Sequence, residues 1–284
     1  MVNFNGTLLN TNEKLLHHSN RGFRLGDVLF EEIRVLNGKI LFWEEHYFRL
    51  MASMRVLRMD IPMEFTMEHL EKEILVTLNR NNLIASTTLV TLSIFRSSGN
   101  TVTTPTDNVS YIIEAERLTS PFYTIDSGPY EVELFKDYFL GRDLLSKLDT
   151  NNKIVEVIAN VFAHENRYTD CILLNDLKQV VRTVSGSLFL VKDDNIKTPS
   201  TTNGAKNTVL RKKLLELISS LEDYAMEEAP ISPFELQKAD ELFILSISKG
   251  IQPVTRYRKK TYESKVSMNL LGKLNAHIRL ANLK

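Results

Sequence analysis

The chain has 284 residues, of which 43% are hydrophobic and 25% charged, and its 35 basic residues balance its 35 acidic ones. This length and composition are typical of a globular protein with one large or two modest domains, and the neutral balance argues against a nucleic-acid or anionic membrane partner. A single cysteine, Cys171, excludes an internal disulfide bond and a multi-cysteine metal site. Neither a signal-peptide core nor a membrane-spanning run occurs, so we expect a cytoplasmic protein.

Alternating and helical patterns over residues 1–117 predict a small N-terminal α+β domain. Asn37-Gly38 between two apolar runs is the strongest hairpin signal, and Thr66 is expected to be the N-cap of a helix. Pro62 is expected to end the preceding helix, because proline disfavours helical backbone in the residue before it. The predicted elements are a short strand over 2–9 with a tight turn at Asn5-Gly6, a glycine-punctuated loop over 20–26, strands over 28–35 and 39–43, helices over 44–59 and 66–78, a strand over 87–95 with a turn over 96–99, and a strand over 109–115.

An aperiodic segment over 118–125 predicts an interdomain linker, and a larger domain follows over 126–284. The basic run Arg256–Lys260 is interpreted as the solvated edge of a strand, since one such run in a neutral chain is weak evidence for nucleic-acid binding. The predicted elements are strands over 130–134, 170–175, 180–184, 188–192 and 242–247, helices over 152–165, 209–221, 233–238 and 268–283, a polar loop up to residue 208, and turns over 176–179 and 249–253.

The stretch Leu144–Lys153, with the sequence LLSKLDTNNK, joins a predicted strand to a predicted helix. Such junctions at the edge of a sheet are common positions for chemistry in α/β proteins. Lys147 and Asp149 are the candidate amine and carboxylate of this stretch. The chemistry available depends on which of them faces a site.

A series of short motifs follows one order along the chain. They are Asn20-Arg21-Gly22-Phe23, Gly26-Asp27, Phe30-Glu31, His46, Arg49-Leu50, Ser185-Gly186-Ser187-Leu188-Phe189, Thr198-Pro199, Val209-Leu210-Arg211, Asp240-Glu241-Leu242-Phe243 and Pro253-Val254. In order and spacing, the series resembles the class-IV, fold-type-IV pyridoxal-phosphate (PLP) enzymes, which include branched-chain and D-amino acid aminotransferases and aminodeoxychorismate lyase. The resemblance covers nearly the whole chain and implies a two-domain α+β (mixed α/β) fold of the D-amino acid aminotransferase type.

The resemblance also implies a homodimer and PLP as the cofactor. The implied substrates are an amino acid with a 2-oxo acid, or an aminodeoxychorismate-like small molecule. PLP chemistry needs a lysine that forms the internal Schiff base and shuttles protons. It also needs an acid against the pyridine nitrogen, because the protonated ring is the electron sink. A cup of backbone N–H groups and an arginine must hold the phosphate.

By resemblance, Arg49 is the phosphate arginine, and the helix start at Val209-Leu210 is the second part of the phosphate cup. Leu210 removes a hydroxyl that the family often has there, although the backbone amides could still bind phosphate. Ile247 stands where some members have a phosphate-binding threonine. Two further positions match places where the family gathers substrate contacts: Phe30 and Arg96. A solvated turn arginine is an equally good interpretation of Arg96.

Two positions depart from the family in the sign of their charge. The family lysine lies three residues before an asparagine that opens a helix, and counting back from Asn152 places Asp149 there. The family acid precedes an asparagine motif by five residues, and counting back from Ser187, which replaces that asparagine, gives Arg182. Asp149 in place of the lysine and Arg182 in place of the pyridine-binding acid predict a degenerate or repurposed member, a pseudoenzyme.

Three alternatives stay open from the residues alone. Lys147 could replace the missing lysine, because residues two apart on extended backbone face the same side, and the protein would then be an active aminotransferase or lyase. Asp149 and Arg182 could pair with each other in a vacated pocket, a pairing that burial makes tolerable rather than strongly stabilising. The pocket could also bind PLP or another phosphate without a covalent bond, through Arg49 and the Val209-Leu210 amides.

Overall fold

The computed structural model describes residues 1–97, 102–103, 108–126 and 128–283. The chain divides into two compact units. The first consists of Met1–Pro121, Leu148–Asn152 and Ala281–Lys284, and the second of Phe122–Lys147 and Lys153–Leu280. The segment around Asp149 therefore belongs to the first unit, whereas the division expected from the sequence places it in the domain over 126–284.

The first unit is built on one sheet. Its strands are β1 (Val2–Phe4), β2 (Thr7–Leu9), β3 (Val28–Leu36), β4 (Lys39–Ile40), β5 (Thr87–Arg96) and β6 (Val109–Arg117). They pair in the order β2-β1-β6-β5-β3-β4, antiparallel throughout. Asn5-Gly6 and Asn37-Gly38 both have positive φ, 50° and 82° in the first turn and 50° and 76° in the second, so both predicted turns are confirmed.

Helices α1 (Arg21–Leu25), α2 (Trp43–Val56) and α3 (Met67–Arg80) complete the first unit. The predicted N-cap is confirmed, since the Thr66 side chain accepts a hydrogen bond from the amide of His69 at 3.1 Å. Residues of α2 and α3 pack with the sheet into one core. Its fully buried members include Ile33, Leu50, Met54, Leu70, Ile74, Val90, Ile94 and Ile113.

Three predictions for this half of the chain are wrong. Residues 20–26 are not a loop, because Asn20 caps the short helix α1 by accepting from the amide of Phe23 at 3.3 Å. The strand predicted over 39–43 stops at Ile40, and Trp43 already begins α2. Pro62 does not end α2, which stops at Val56 before Arg58 adopts a left-handed φ of 52°.

The second unit contains two five-stranded sheets. Its strands are β7 (Glu131–Leu134), β8 (Asp170–Leu174), β9 (Val180–Thr183), β10 (Ser187–Lys192), β11 (Asn195–Thr198), β12 (Ala225–Glu228), β13 (Glu241–Ser246), β14 (Gly250–Pro253), β15 (Arg256–Tyr257) and β16 (Lys260–Thr261). One sheet has the order β16-β15-β7-β8-β9 and the other β12-β11-β10-β13-β14. β7 runs parallel to β8 and to β15, so both parallel and antiparallel pairs occur in this unit.

Helices α4 (Ile154–Glu165), α5 (Val209–Ser219), α6 (Pro233–Lys238) and α7 (Lys265–Leu283) belong to this second half of the chain. Ala159 and Ala163, one turn apart on α4, pack against Phe135, Cys171 and Leu173 in a small core. Leu188, Leu242 and Ile244 lie in a second, larger core with residues of β7 and β8. Within the described part of the chain, no helix is both long and apolar enough to cross a bilayer.

The second unit also corrects some predictions. Residues 250–253 form β14 rather than a turn, and β12 is a strand that the sequence pattern missed. The helix expected from residue 152 begins at Ile154, with Lys153 as its N-cap residue. This later start matters, because it leaves residues 148–152 as non-helical backbone.

Candidate active-site region

The segment Leu148–Asn152 runs beside the N-terminal half of β3. Thr150 forms an isolated bridge with Leu29, and the amide of Phe30 donates to the carbonyl of Asp149 at 2.7 Å. The side chain of Asn151 donates to the carbonyl of Gly22 at 2.7 Å. Backbone and side-chain hydrogen bonds thus hold Asp149 in place within the first unit.

Next to this segment, four ionisable side chains form a chain of contacts: Glu31, His46, Arg49 and Asp149. Glu31 on β3 is only 1% exposed and His46 on α2 only 3%. Oε1 of Glu31 lies 2.5 Å from Nδ1 of His46, and its Oε2 lies 2.6 Å from Nη1 of Arg49. His46 and Arg49 reach the same carboxylate because residues three apart lie on the same side of a helix.

Asp149 completes this cluster from the other side of the guanidinium. Its Oδ2 lies 3.8 Å from Nη2 of Arg49, and the two side chains are 17% and 14% exposed. Arg49, the predicted phosphate arginine, therefore lies between two carboxylates of its own chain. The predicted lysine position presents an acid to that arginine.

Lys147 does not lie on an extended strand with Asp149. It is the last residue of a 3₁₀ turn, Leu145–Lys147, and Leu148 follows as a bend with its side chain buried. The premise that residues 147 and 149 share one face of an extended segment is wrong, because a 3₁₀ turn rotates successive side chains by about 120°. Lys147 also groups with the second unit and Asp149 with the first.

Arg182, at the predicted position of the pyridine acid, lies on β9 and is buried. Its Nη2 donates to Oε1 of Glu156 on α4 at 2.6 Å, and its Nη1 donates to the carbonyl of Thr183 at 3.1 Å. The sequence leaves open that Arg182 pairs with Asp149. In the structure, Glu156 of the second unit already binds the guanidinium of Arg182. Each of the two reversed charges has a partner within its own unit.

Ser187 begins β10 and is buried, with Leu245 of β13 as its cross-strand partner. The preceding Gly186 allows this close pairing, because a Cβ there would lie 2.3 Å from the carbonyl oxygen of Leu245. The glycine of the Ser185-Gly186-Ser187 motif therefore has a packing role. Ser187 places a hydroxyl where the resemblance predicts the amide of an asparagine.

The predicted phosphate cup at Val209-Leu210 is the first turn of α5. Thr208 is its N-cap, and the threonine hydroxyl accepts from the amide of Arg211 at 3.3 Å. Both side chains are apolar and buried, so only backbone amides could bind a phosphate here. The amides in the first turn of a helix have no acceptor within the helix. Ile247 lies in the turn between β13 and β14, where its carbonyl accepts from the Tyr123 hydroxyl at 2.9 Å.

Of the two substrate candidates, Phe30 is half-buried on β3, where its amide holds Asp149. Arg96 is the last residue of β5 and is not a solvated turn residue as one interpretation had it. Its guanidinium donates to Asp27 at 2.6 Å and to the carbonyls of Leu57 and Arg58 at 2.6 and 2.8 Å. Residues Ser98 and Gly99 of the predicted turn lie outside the described residues.

The remaining candidates have structural roles. Cys171 is fully buried, and burial raises the pKa of its thiol to about 12, which agrees with an inert cysteine. In the part of the chain that the structure describes, no group of three or more His, Cys, Asp and Glu side chains could hold a metal ion. The basic run spans β15 and the start of β16, and Arg256 and Arg258 pair with Glu131 and Glu133 on β7, as expected of a strand edge.

Residues 28–257 match the amino-transferase class IV family, and the chain belongs to that family. It is 26% identical over 237 residues to the aminodeoxychorismate lyase of Vibrio harveyi, covering 83% of this chain and 84% of that protein. It is 24% identical over 260 residues to a D-alanine aminotransferase of Staphylococcus epidermidis, covering 90% and 88%. The crystal structure of the branched-chain amino acid aminotransferase from Thermobaculum terrenum in its PLP form matches with a TM-score of 0.85 at 17% identity, over 99% of this chain and 94% of that one.

These matches confirm the family and the fold-type-IV, α+β architecture that the motif series implied. They also confirm PLP as the cofactor of the structural relatives. At the position predicted for the lysine lies Asp149, and at the position predicted for the pyridine acid lies Arg182, which binds Glu156. Arg49, the predicted phosphate arginine, lies between two carboxylates.

Sequence reasoning missed the partners that decide this site. The sequence places Asp27 and Glu31 only in motifs of the family series, and the contact of Glu31 with Arg49 depends on the packing of α2 on β3. Glu156 is not a candidate from the sequence, although it follows Asp149 by seven residues and lies in the first turn of α4. An acid in the first turn of a helix is common because it interacts favourably with the helix dipole. The sequence around Glu156 therefore gives no sign that its carboxylate also pairs with Arg182.

Proposed function

We propose that this protein is a repurposed member of the class IV aminotransferase family that does not carry out Schiff-base chemistry. The observation that carries the proposal is the carboxylate of Asp149, 3.8 Å from Arg49, at the position that the resemblance predicts for the family's lysine. A carboxylate cannot condense with an aldehyde to give an imine. The step on which PLP enzymes depend therefore has no nucleophile at this position.

The second reversal of charge supports the same conclusion. The Arg182 guanidinium stays protonated in proteins and can only donate hydrogen bonds. It cannot take the place of a carboxylate that keeps a pyridine nitrogen protonated. Since Glu156 already binds this guanidinium at 2.6 Å, its charge is compensated without a cofactor.

The experiment is the visible absorption spectrum of the purified protein mixed with PLP, followed by borohydride reduction and intact-mass measurement. We expect no internal-aldimine band and no phosphopyridoxyl adduct on the protein. Lys147→Ala and Lys153→Ala, which remove the two lysines of the Leu144–Lys153 stretch, serve as a matched pair.

A reducible band that Lys147→Ala abolishes and Lys153→Ala leaves intact would establish the alternative, an active enzyme that uses Lys147. Such an enzyme should then be assayed with D-alanine and branched-chain amino acids against 2-oxo acids, and with aminodeoxychorismate. Calorimetric titration with PLP and inorganic phosphate separates the third case, in which the pocket binds phosphate without a covalent bond. No heat at millimolar ligand would exclude that case.

We further propose that the protein is a homodimer and that α4 contributes to the contact. The alanine face of α4 is buried, but the other face exposes Ile154, Val157 and Val161, which are 68%, 55% and 51% exposed. This stripe has the i, i+3, i+7 spacing that suits isologous helix packing. A specific interface buries roughly 1,000 Å² in total or more, so polar residues around the stripe must also take part in the contact.

Sedimentation equilibrium tests the dimer. Val157→Glu places a charge in the middle of the stripe and should shift the protein toward monomer. Asn160→Glu adds the same charge on the exposed surface of α4 beside the stripe and should shift it less. A monomeric wild-type protein at high micromolar concentration would contradict the proposal.

A further inference from the structure

We propose that Asp149 is an internal anion that occupies Arg49 and closes an anion site in the first unit. The inference rests on the proposed function, because it assumes that Asp149 stands at the position of the family's lysine and acts there as a negative charge. It goes further by predicting what the vacated arginine would bind. The ligand class is a small oxyanion, either inorganic phosphate or the phosphate group of a monoester.

The two carboxylates around Arg49 are not equivalent. Glu31 is deeply buried, lies 2.6 Å from Nη1 and also contacts His46, so it is a fixed part of the first unit. Asp149 is more exposed, and its Oδ2 lies 3.8 Å from Nη2, beyond the distance of a hydrogen bond. Of the two acids, Asp149 is the one that another anion can replace.

The geometry of the guanidinium favours this exchange. The guanidinium presents a planar fork of N–H groups that matches two oxygens of a phosphate or carboxylate. Glu31 takes one arm of the fork, and the other arm faces Asp149. A tetrahedral oxyanion placed at the Asp149 carboxylate would meet the same arm of Arg49.

The backbone of Asp149 explains why the internal anion can compete with anions from solution. The carbonyl of Asp149 accepts from Phe30, and Asn151 is tied to Gly22, so the carboxylate is held near Arg49. A tethered group acts at an effective concentration in the millimolar range, so it competes with free anions present at lower concentrations. Asp149 should therefore suppress anion binding without forming a strong ion pair.

The test is calorimetric titration of inorganic phosphate at constant ionic strength into the wild-type protein and Asp149→Asn. The substitution keeps the shape of the side chain and removes its charge. We expect Asp149→Asn to bind phosphate at least about tenfold more tightly than the wild type. The gain should vanish in the double variant Asp149→Asn with Arg49→Met. Asp137→Asn, which removes an equal charge from an exposed position, should behave like the wild type.

Parallel titrations with PLP and pyridoxal distinguish the two sources of phosphate. A gain with phosphate and PLP but not with pyridoxal is expected for a site that recognises the phosphate group. Equal affinity of Asp149→Asn and wild type overturns the proposal, and so does a gain that survives loss of Arg49. A borohydride-trapped adduct in the wild type would instead refute the proposed function and leave these binding comparisons readable on their own.

A measurement on the wild type covers the case in which Asp149→Asn and a second variant, Asp149→Ser, fail to fold. Phenylglyoxal modifies accessible arginines, and mass spectrometry of peptides reports the rate at Arg49. If Asp149 occupies Arg49, phosphate should not slow its modification in the wild type. Strong protection of Arg49 by phosphate would show an open anion site and overturn the proposal.

Discussion

Nη2 of Arg182 donates to Oε1 of Glu156 at 2.6 Å, and the two side chains are only 7% and 13% exposed. The strand β9 supplies the cation and the first turn of α4 supplies the acid. Arg182 also donates to Thr183, while its Nε is buried and has no hydrogen-bond partner among the described residues. Glu156 is thus the carboxylate that compensates this buried guanidinium, and both groups depend on the pair.

Glu156→Ala should lower the free energy of unfolding by about 3 kcal/mol, because removal of one partner leaves a buried charge without compensation. Urea unfolding followed by circular dichroism gives the value. The double variant Glu156→Ala with Arg182→Met should lose less than the sum of the single variants, since an apolar side chain replaces the orphaned cation. Additive losses in this cycle would mean that the two side chains do not interact.

Cys171 should not react with a thiol reagent in the folded protein at pH 8. Burial, with the nearby Asp170 and Glu133 carboxylates, raises the pKa of this thiol to about 12. Thiolate is the reactive form, and in the unfolded chain the thiol has a pKa of about 8.5. Spectroscopic titration should find the cysteine unreactive in buffer and fully reactive in concentrated urea.

The same thiol sets the direction of a pH dependence. The unfolded state loses its thiol proton above about pH 8.5 whereas the folded state keeps it up to about pH 12. Cys171 therefore makes the protein less stable as pH rises through this window, by at most about 1.4 kcal/mol per pH unit. Cys171→Ala should show a shallower loss of stability over the same range. Identical slopes would contradict the raised pKa.

Much of the fold could be predicted because local signals and tertiary packing agree. Asn37-Gly38 has the backbone that a tight hairpin requires, and Thr66 caps α3 as expected. Predictions failed where packing overrides a local pattern. Gly250 has a φ of 70°, and a Cβ added there would lie 2.3 Å from the Tyr123 ring. This glycine looks like a turn residue in the sequence, but it begins the buried strand β14.

The site could be predicted only as a set of positions. Counting along the chain places Asp149 and Arg182 at the positions that depart from the family, but it does not reveal what each side chain contacts. Glu156 and Glu31 are distant from their arginines in sequence, and the packing of α4 and α2 brings them together. The 3₁₀ turn at Lys147 could not be predicted either, because such a short turn has no strong sequence signal and the segment was expected to be extended.

Glu241 should be important for the start of α7. Its buried carboxylate accepts from the amides of Val266 and Ser267 at 2.7 and 3.0 Å, and from the Ser267 hydroxyl at 2.9 Å. A carboxylate at a helix N-terminus satisfies amides that have no partner within the helix and interacts favourably with the helix dipole. Glu241→Ala should therefore lower the free energy of unfolding by about 2 kcal/mol.

Hydrogen exchange localises the effect of Glu241→Ala. The amides in the first turn of α7 should lose protection, while those of α3 in the first unit should keep theirs. Glu235→Ala is the matched control, since Glu235 is the acid of the capping box that begins the shorter helix α6. It should affect α6 instead. A uniform loss of protection in both helices would contradict a local capping role.

Two glycines should respond to alanine in opposite directions because their surroundings differ. Gly272 is exposed on α7, and an added Cβ would meet no heavy atom within 4 Å, so Gly272→Ala should raise the free energy of unfolding by about 1 kcal/mol through helix propensity. Gly186→Ala would place a Cβ 2.3 Å from the carbonyl oxygen of Leu245 and should lower it by about 3 kcal/mol. Denaturant titration of both variants measures the two signs. Because backbone atoms of β13 cannot move aside as a side chain could, a neutral Gly186→Ala would mean that β10 and β13 pair less closely than their register indicates.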